Sequence, residues 1–443
     1  MKLPAEVEEI ISILEKNGHE AYAVGGCVRD CMLGKEPHDW DITTSALPLE
    51  VKSLFKRTFD TGIAHGTVTV LLNGQGYEVT TYRIDGEYMD GRHPSQVTFT
   101  ASLEEDLKRR DFTINAMAYN HSQGLVDLYG GKEDLKAGII RAVGQPRERF
   151  TEDALRMLRA LRFSAQLGFE IEEDTLRAIR ELAHTLKRVS AERIQVELVK
   201  LLTSDHPDRM RLACETGLTA VFMPEFDTMM TCGQNNKHHM YSVGEHTLHS
   251  IEAVKADRVL RLAMLLHDVG KPKSKTTDEM GQDHFKGHPE LGADMARTIL
   301  RRLKFDNYTV DAVVNLVRHH DERPAITPRN IRRLMIRVGD ENMENLLEVK
   351  RADCLAQSLY HREEKLQYID QMKAEVDRIR ANADCLKIKD LKISGRDLIA
   401  MGLPQGSRIG EILGLLFEEV VESPELNQRE YLLEKSKQLI QSK

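Results

Sequence analysis

The sequence predicts an α+β chain, with a mixed α/β segment over residues 1 to about 140 and helices almost to the end. Three observations carry this. The first segment holds short β-branched runs bounded by Gly-Gly and Asn-Gly turns. From about residue 150 the apolar spacing switches to roughly 3.6 and stays there. A length of 443 residues exceeds one ordinary domain, since domains run to ~100–200 residues.

Taken in order, the spacing predicts an opening helix from Ala5 to Lys16 and a short apolar strand, Ala21-Tyr-Ala-Val24, that stops at Gly25-Gly26. A hairpin follows, pairing Gly66-Thr-Val-Thr-Val-Leu-Leu72 with Tyr77-Glu-Val-Thr-Thr-Tyr-Arg83 across Asn73-Gly-Gln-Gly76. Ser102-x-x-Glu105 is a capping box, so Arg109 and Arg110 fall at the far end of a short helix. Thr151 to Phe163 reads as a helix capped by Thr151, with Ala154, Leu158, Leu161 and Ala165 as its apolar stripe. Turn-rich or charged stretches near 205–208, 322–328 and 403–408 are candidate boundaries in the helical part.

Composition excludes several classes. Hydrophobic residues at 41% and charged residues at 30% exclude disorder as the main state. The balance of 62 basic against 70 acidic residues, a net charge of −8, argues against non-specific coating of nucleic acid. One Trp and 5% aromatics argue against a stacking platform for single strands. No apolar run approaches the roughly 18 residues of a membrane span, and the N-terminal stretch is acidic and amphipathic, unlike a signal peptide. Six cysteines, scattered apart from Cys27 and Cys31, form neither a disulfide framework nor a zinc pattern, and a reducing cytoplasm is the expected compartment.

The strongest local signal is Gly25-Gly-Cys-Val-Arg-Asp30 followed by Asp39-Trp-Asp41. In a strand, Asp39 and Asp41 project from one face, where two carboxylates repel unless a cation neutralises them. Such oxygen ligands suit Mg²⁺, which takes one or two carboxylates plus substrate phosphates. Gly25 and Gly26 let backbone N–H groups approach phosphate oxygens at a helix entrance, beside Arg29. Together these residues point to metal-dependent nucleotide chemistry, against the plainer reading of a surface turn with two solvated acids. Glu78, on the following hairpin, is the candidate third carboxylate or else an exposed strand acid.

Asp153 and Arg156 stand three residues apart, the spacing of an ordinary intrahelical salt bridge. A more specific reading is available. Cytosine and adenine each present an amino donor beside a ring-nitrogen acceptor, which a carboxylate and a guanidinium match, whereas uracil and guanine present a carbonyl there. A fixed Asp153–Arg156 couple would therefore select CTP and ATP without a template, with Arg159 and Arg162 adding positive charge nearby.

Seven segments in order resemble the bacterial-type (class II) tRNA nucleotidyltransferases, the CCA-adding enzymes. They are Gly25-Gly-Cys-Val-Arg-Asp30, Asp39-Trp-Asp41, Asp60-Thr-Gly-Ile-Ala-His-Gly-Thr67, Glu78-Val-Thr-Thr81, Arg109-Arg-Asp-Phe-Thr-Ile-Asn-Ala116, Glu152-Asp-Ala-Leu-Arg156 and Ser190-Ala-Glu-Arg-Ile-Gln-Val-Glu-Leu198. The resemblance implies a polymerase-β-like head (1–140), a helical neck (141–210), an HD-type body (211–330) and a tRNA-binding tail (331–443). It implies that Gly26 and Arg29 hold the triphosphate, Asp39 and Asp41 bind Mg²⁺, Arg110 contacts the nucleotide, and Asp153 and Arg156 read the base. The implied partners are tRNA, CTP and ATP.

His246, His267-Asp268, His288, His319-His320 and Asp353 follow the order of an HD-domain phosphohydrolase, and such a set makes a candidate transition-metal or two-metal centre. His319 is taken as the fourth imidazole, although the sequence does not separate it from His320. The plainer reading keeps the fold as a tRNA-binding body with the histidines as polar core. Three rivals share the resemblance: an enzyme adding only A, a poly(A) polymerase, and an HD phosphohydrolase or regulator whose head only binds nucleotide. The stretch Arg83 to Pro94, with Gly86 and Gly91 as candidate hinges, looks full length and disfavours CC-only addition. For tRNA contact, the acid-free stretch Arg323 to Arg337 predicts a helix capped by Thr327-Pro328 that presents Arg329, Arg332, Arg333 and Arg337 along one side.

Overall fold

The computed structural model describes residues 1–85, 97–237 and 240–441. The predicted hinges Gly86 and Gly91, and His238 and His239 of the histidine-rich region, lie outside the described residues. The chain divides into two compact units, residues 1–227 with 302–305, and residues 228–301 with 306–443.

The first unit opens with helix α1 (Ala5–Lys16), which buries Val7, Ile10, Ile11 and Leu14 at helical spacing. Burying each such side chain contributes about 1.5–3 kcal/mol, which fixes the helix on the sheet. The strands are β1 (Ala21–Val24), β2 (Asp41–Thr44), β3 (Thr58–Gly62), β4 (Thr67–Leu72), β5 (Gln75–Thr81), β6 (Arg83–Asp85), β7 (Val97–Phe99), β8 (Met117–Asn120) and β9 (Gly124–Asp127). Seven of them form one sheet in the order β3-β4-β5-β2-β1-β8-β9, while β6 and β7 pair separately. The hairpin β4–β5 forms as its β-branched sequence predicts, and β2 runs parallel to β5 with Asp41 opposite Glu78. Short helices α2 (Gly26–Met32), α3 (Pro48–Leu54), α4 (Leu103–Lys108) and α5 (Gly131–Ala137) join the strands.

Helices α6 (Pro146–Glu152), α7 (Leu155–Leu167), α8 (Glu173–Leu182) and α9 (Ala191–Leu202) follow. The boundary near Thr151 differs from the sequence reading. Thr151 lies inside α6, where its hydroxyl donates back to the Arg147 carbonyl at 2.7 Å. Asp153 sits at the break instead, and its Oδ1 accepts from the Leu155 N–H at 3.0 Å. The apolar stripe of α7 is buried as its spacing predicts.

The second unit is almost wholly helical. The departure is a two-residue ribbon, Thr276–Thr277 with Asp283–His284. Two β-branched residues and a turn in which Asp278 accepts from the N–H groups of Met280 and Gln282 account for it. Helix Arg258–Leu266 starts on Asp257, which caps Val259 and Leu260, and runs apolar into His267-Asp268. Gly270 follows where helix His288–Arg302 passes so near that a Cβ would lie 2.3 Å from the His288 carbonyl oxygen. Helix Pro328–Val338 is capped by Thr327 as predicted. No helix among the described residues is long and apolar enough to cross a membrane.

Candidate active site and histidine cluster

In the first unit, β1 ends on Gly25 with φ of +83°, a conformation that strains any residue with a side chain. A Cβ there would also stand 3.1 Å from Arg110 Nη1. The turn feeds α2, whose Arg29 donates to Asn115 Oδ1 at 2.7 Å and to Asp30 at 2.8 Å. Phe163 of α7 lies under three guanidinium groups, those of Arg162, Arg29 and Arg159, at 3.8, 5.2 and 5.4 Å from its ring centroid.

Asp41 opens β2 and Asp39 precedes it, so the two acids are brought together at a strand entrance and not within one strand. Glu78 stands opposite Asp41 on β5. All three acids remain accessible to solvent. Desolvation by the surrounding protein nevertheless raises the Asp41 carboxyl above its ordinary value, with Arg110 opposing the shift and Asp39 adding to it. Burial, then the charges of Asp41 and Asp39, raise Glu78 as well. Asp39 and Asp41 thus raise the affinity of neighbouring carboxylates for protons while all three acids face solvent.

Arg109 and Arg110 are positioned by Asp106 of α4, which is fully buried and takes Arg109 at 2.7 Å and Arg110 at 3.3 Å. Thr43 of β2 donates to the same carboxylate at 3.1 Å, tying the arginines to the strand that carries Asp41. Asp111 and Asn115 lie in the segment Arg109 to Ala116, and nothing in their spacing marks a role for either. Asp111 accepts from Arg159 at 2.6 Å and from Asn115 at 3.1 Å. Asp106 carried no sequence signal of its own.

The supposed base-reading pair is arranged differently from a helical i, i+3 couple. Asp153 pairs with Arg193 of α9 at 2.7 Å. Arg156 pairs with Glu152 at 2.6 Å and donates to the Arg109 carbonyl at 2.9 Å. Each group is thus held by another partner, because the break between α6 and α7 rotates Asp153 away from the α7 axis. Arg162 is also corrected. It is buried against Glu197 of α9 at 2.7 Å, and burial pushes its guanidinium down to about 10. It is a structural charge, not an exposed one.

In the second unit, His246, His267 and Asp268 come together, as do Asp268, His288 and His320, with Asp268 common to both groups. Nε2 of His246 lies 3.3 Å from Nε2 of His267, and Nε2 of His288 lies 3.3 Å from Nε2 of His320. Asp353 reaches His246 at 2.9 Å. The Nδ1 atoms of His267, His288 and His320 lie 2.7, 2.8 and 2.6 Å from the backbone carbonyls of Met264, Phe285 and Val317. Donation to those carbonyls leaves the lone pairs on Nε2, facing the cluster. Buried Asp268 Oδ2 has no aligned hydrogen-bond donor, although Lys271 Nζ stands 2.7 Å away. His320, not His319, completes the set. His319 turns to Glu322 at 2.5 Å, because consecutive residues on a helix point about 100° apart.

The predicted RNA-contact arginines are only partly presented. Arg332 is buried, donating to the carbonyls of Val421 and Glu422 and to Asp384 at 2.9 Å, so it is no RNA contact. Arg329 and Arg333 are exposed but share Glu422, and Arg337 pairs with Glu322 at 2.6 Å.

Comparisons with known proteins agree with these observations. A model of the "Poly A polymerase head domain" matches residues 21–141, one of a "Probable RNA and SrmB-binding site of polymerase A" matches 168–230, and one of the "HD domain" matches 237–358. A CCA-adding enzyme of Leuconostoc mesenteroides is 60% identical over 204 residues, which span 45% of this chain and 51% of that protein. One from Ligilactobacillus salivarius is 36% identical across 100% of this chain and 98% of its own length. Among solved structures, a Bacillus stearothermophilus CCA-adding enzyme in complex with CTP superposes with a TM-score of 0.73 at 32% identity, covering 99% of each chain. Identity of that level, held from end to end over head, helical and HD segments alike, places this chain in the CCA-adding enzyme family.

Proposed function

We infer that this chain adds C, C and A to the 3′ end of tRNA from CTP and ATP without a template, releasing pyrophosphate. The observation that carries the reading is Asp41 paired in register with Glu78 on the neighbouring strand, with the charge of Asp39 acting on both. These acids fit a divalent cation, and Mg²⁺ is the natural choice for oxygen ligands of this kind. Held by Asp39 and Asp41 with Glu78 as the candidate third carboxylate, Mg²⁺ would supply activation of the tRNA 3′ hydroxyl and charge neutralisation for the departing pyrophosphate. The Gly26 backbone N–H binds the triphosphate with Arg29, which Asn115 and Phe163 hold in place, while the Gly25 N–H is taken by the Met117 carbonyl at 3.1 Å. Asp106 orients Arg110 toward the same nucleotide. Asp153, on leaving Arg193, accepts from the exocyclic amine of cytosine or adenine, and Arg156, on leaving Glu152, donates to the adjacent ring nitrogen.

The division of labour takes residues 1–140 as catalytic head, 141–210 as neck and 211–330 as HD-type body. The body's end moves from 330 to about 358, because the HD match and Asp353 of the cluster reach that far, and the remaining tail holds tRNA. Support for the partners comes from relatives solved with CTP and, in Thermotoga maritima, with tRNA. The six cysteines are all free, which suits the cytoplasm. The test is incubation of purified protein and Mg²⁺ with tRNA lacking its 3′ end and each nucleotide singly and together. CTP alone stops after the cytidines, CTP with ATP completes the end, and UTP or GTP do little. Failure to incorporate A after CC would overturn the assignment.

A second reading rests on the histidine cluster. Four imidazoles with lone pairs aimed at a shared aspartate fit a pair of transition-metal ions, held by His246, His267, Asp268, His288, His320 and Asp353. Such a centre supplies an activated water for phosphoester hydrolysis. Metal analysis of protein purified without chelator tests it, with Asp268→Ala as the control that loses the metal.

A further inference from the structure

One register row crosses four strands of the head sheet. Asp41 of β2 stands opposite Glu78 of β5, Glu78 opposite Thr69 of β4, and Thr69 opposite Phe59 of the edge strand β3. Partners in register project to one face of a sheet. Two contacts agree with that. Thr61 and Thr69 share a hydroxyl hydrogen bond at 2.9 Å, and a Cβ at Gly76, on the Glu78 side of β5, would stand 3.0 Å from Thr69 Cγ2. Asp60, next after Phe59, alternates to the other face and meets Lys52 of α3 at 2.8 Å. Phe59 therefore shares the face of the acids, and it is 56% exposed.

We propose that the Phe59 ring stacks on the base next to the terminal one at the growing 3′ end of tRNA, and so holds the strand for attack. The proposal rests on the function inferred above and names a contact for its acceptor. In nucleotidyl transfer the 3′ oxygen gives up its proton and bonds to the α-phosphorus as the bond to pyrophosphate breaks. The attacking and departing oxygens stand in line, on opposite sides of that phosphorus. Gly26 and Arg29, which take the triphosphate, belong to α2, directly after β1. β1 flanks β2 on the side away from β5. The 3′ hydroxyl accordingly enters from the other flank, over β5 and β4.

That lane is lined by small side chains. Thr67 and Thr80 bond one another through their hydroxyls at 3.0 Å, Thr69 is tied to Thr61, and Gly76 carries none. Beyond them stands Phe59, three strand spacings from Asp41, roughly 14 Å at ~4.8 Å each. The terminal nucleotide fills the near part of that span and leaves its neighbour's base at the ring. Arg57, exposed and two residues earlier on the same side of β3, offers a guanidinium to the phosphate between them. One ring is enough for one base. Stacking uses only the flat face that every base has, so it suits an end whose sequence changes as it grows.

The test is steady-state kinetics of the full chain with Mg²⁺ on tRNA that lacks the whole end, ends in C, or ends in CC. On tRNA ending in CC, Phe59→Ala lowers kcat/KM for tRNA by roughly tenfold, with the KM for ATP and the melting temperature unchanged. Phe59→Tyr keeps the ring and the rate. Addition of the first C is little affected, because the base next to the end is then still paired in the acceptor stem. An abasic nucleotide next to the end of tRNA ending in CC costs the unaltered chain the same factor, and costs Phe59→Ala nothing further. Incorporation that Phe59→Ala leaves unchanged, a loss equal at all three stages, or an abasic loss that multiplies with that of the variant overturns the stack and leaves the inferred function standing. No incorporation by the unaltered chain on any of the three overturns the function, and the stack with it.

Discussion

The carboxylates of the head and the histidine cluster of the second unit solve the same problem, concentrated ligand atoms, by opposite means. Asp39, Asp41 and Glu78 face solvent, and desolvation, with the repulsion between them second, pushes Asp41 and Glu78 up. His246, His267, Asp268 and His320 are almost fully buried, and backbone carbonyls satisfy the outer nitrogen of each ring in turn. The first arrangement would be completed, on the function proposed above, by a cation exchanging with the nucleotide. The second is built before any ligand arrives. An exchanging site tolerates repulsion because its partner is transient, whereas a buried one must be satisfied by the fold itself.

The sharpest break of this comparison comes from exchanging losses. Asp41→Ala removes nucleotide incorporation by on the order of a thousandfold or more, equivalent to several kcal/mol of transition-state stabilisation. Phosphoester hydrolysis is unchanged in that variant. Asp268→Ala does the reverse, and a loss of both activities in either variant would merge the two sites. Next in size is Glu197→Ala, which strands Arg162 in the interior and lowers stability by about 3–5 kcal/mol, read from urea unfolding.

Base choice ranks third. Asp153→Ala loosens the preference for CTP over UTP by about 1–3 kcal/mol, tenfold upward, with metal binding intact. An unchanged preference would reduce Asp153 to a partner of Arg193. Smaller still is the effect at the helix Pro328–Val338. Arg329→Ala and Arg333→Ala each lower the salt slope of tRNA binding by about one unit. Arg332→Ala instead lowers the melting temperature, because it leaves Asp384 unpaired in the interior.

The smallest effect concerns pH. Although burial opposes ionisation, Arg109 and Arg110 hold Asp106 below its ordinary value of 3.8, and Arg159 does the same for Asp111. Their folded-state affinity for protons is depressed, so their contribution to stability is complete above the unfolded value and disappears as pH falls through the native one. Stability of the head is accordingly flat from these two groups between pH 7 and 5. An acid titration that showed their loss above pH 5 would contradict the geometry.

Much was legible before folding was considered. Strand β1, the hairpin β4–β5, helix α1 and the Ser102 cap are local consequences of periodicity, β-branching and turn residues, and each formed where the pattern put it. The order of glycines and acids around residues 25–41 carried the chemistry, because a phosphate turn and paired carboxylates need particular residue types at short spacing. Other features depended on residues far away in the chain. The stretch Arg323 to Arg337 contains no acid, yet Glu422 and Asp384 come to its arginines from distant segments, burying one of them, and Glu322 just before it takes Arg337. Asp153 and Arg156 suggested a pair by spacing, and a two-residue break gave each a different partner. His319 and His320 are equivalent as letters, and only the rotation of their helix decides which one meets Asp268. The local pattern determined elements and chemistry. Which side chains face one another was decided by packing, because the partner of a buried charge is set by three-dimensional proximity, which no spacing along the chain encodes.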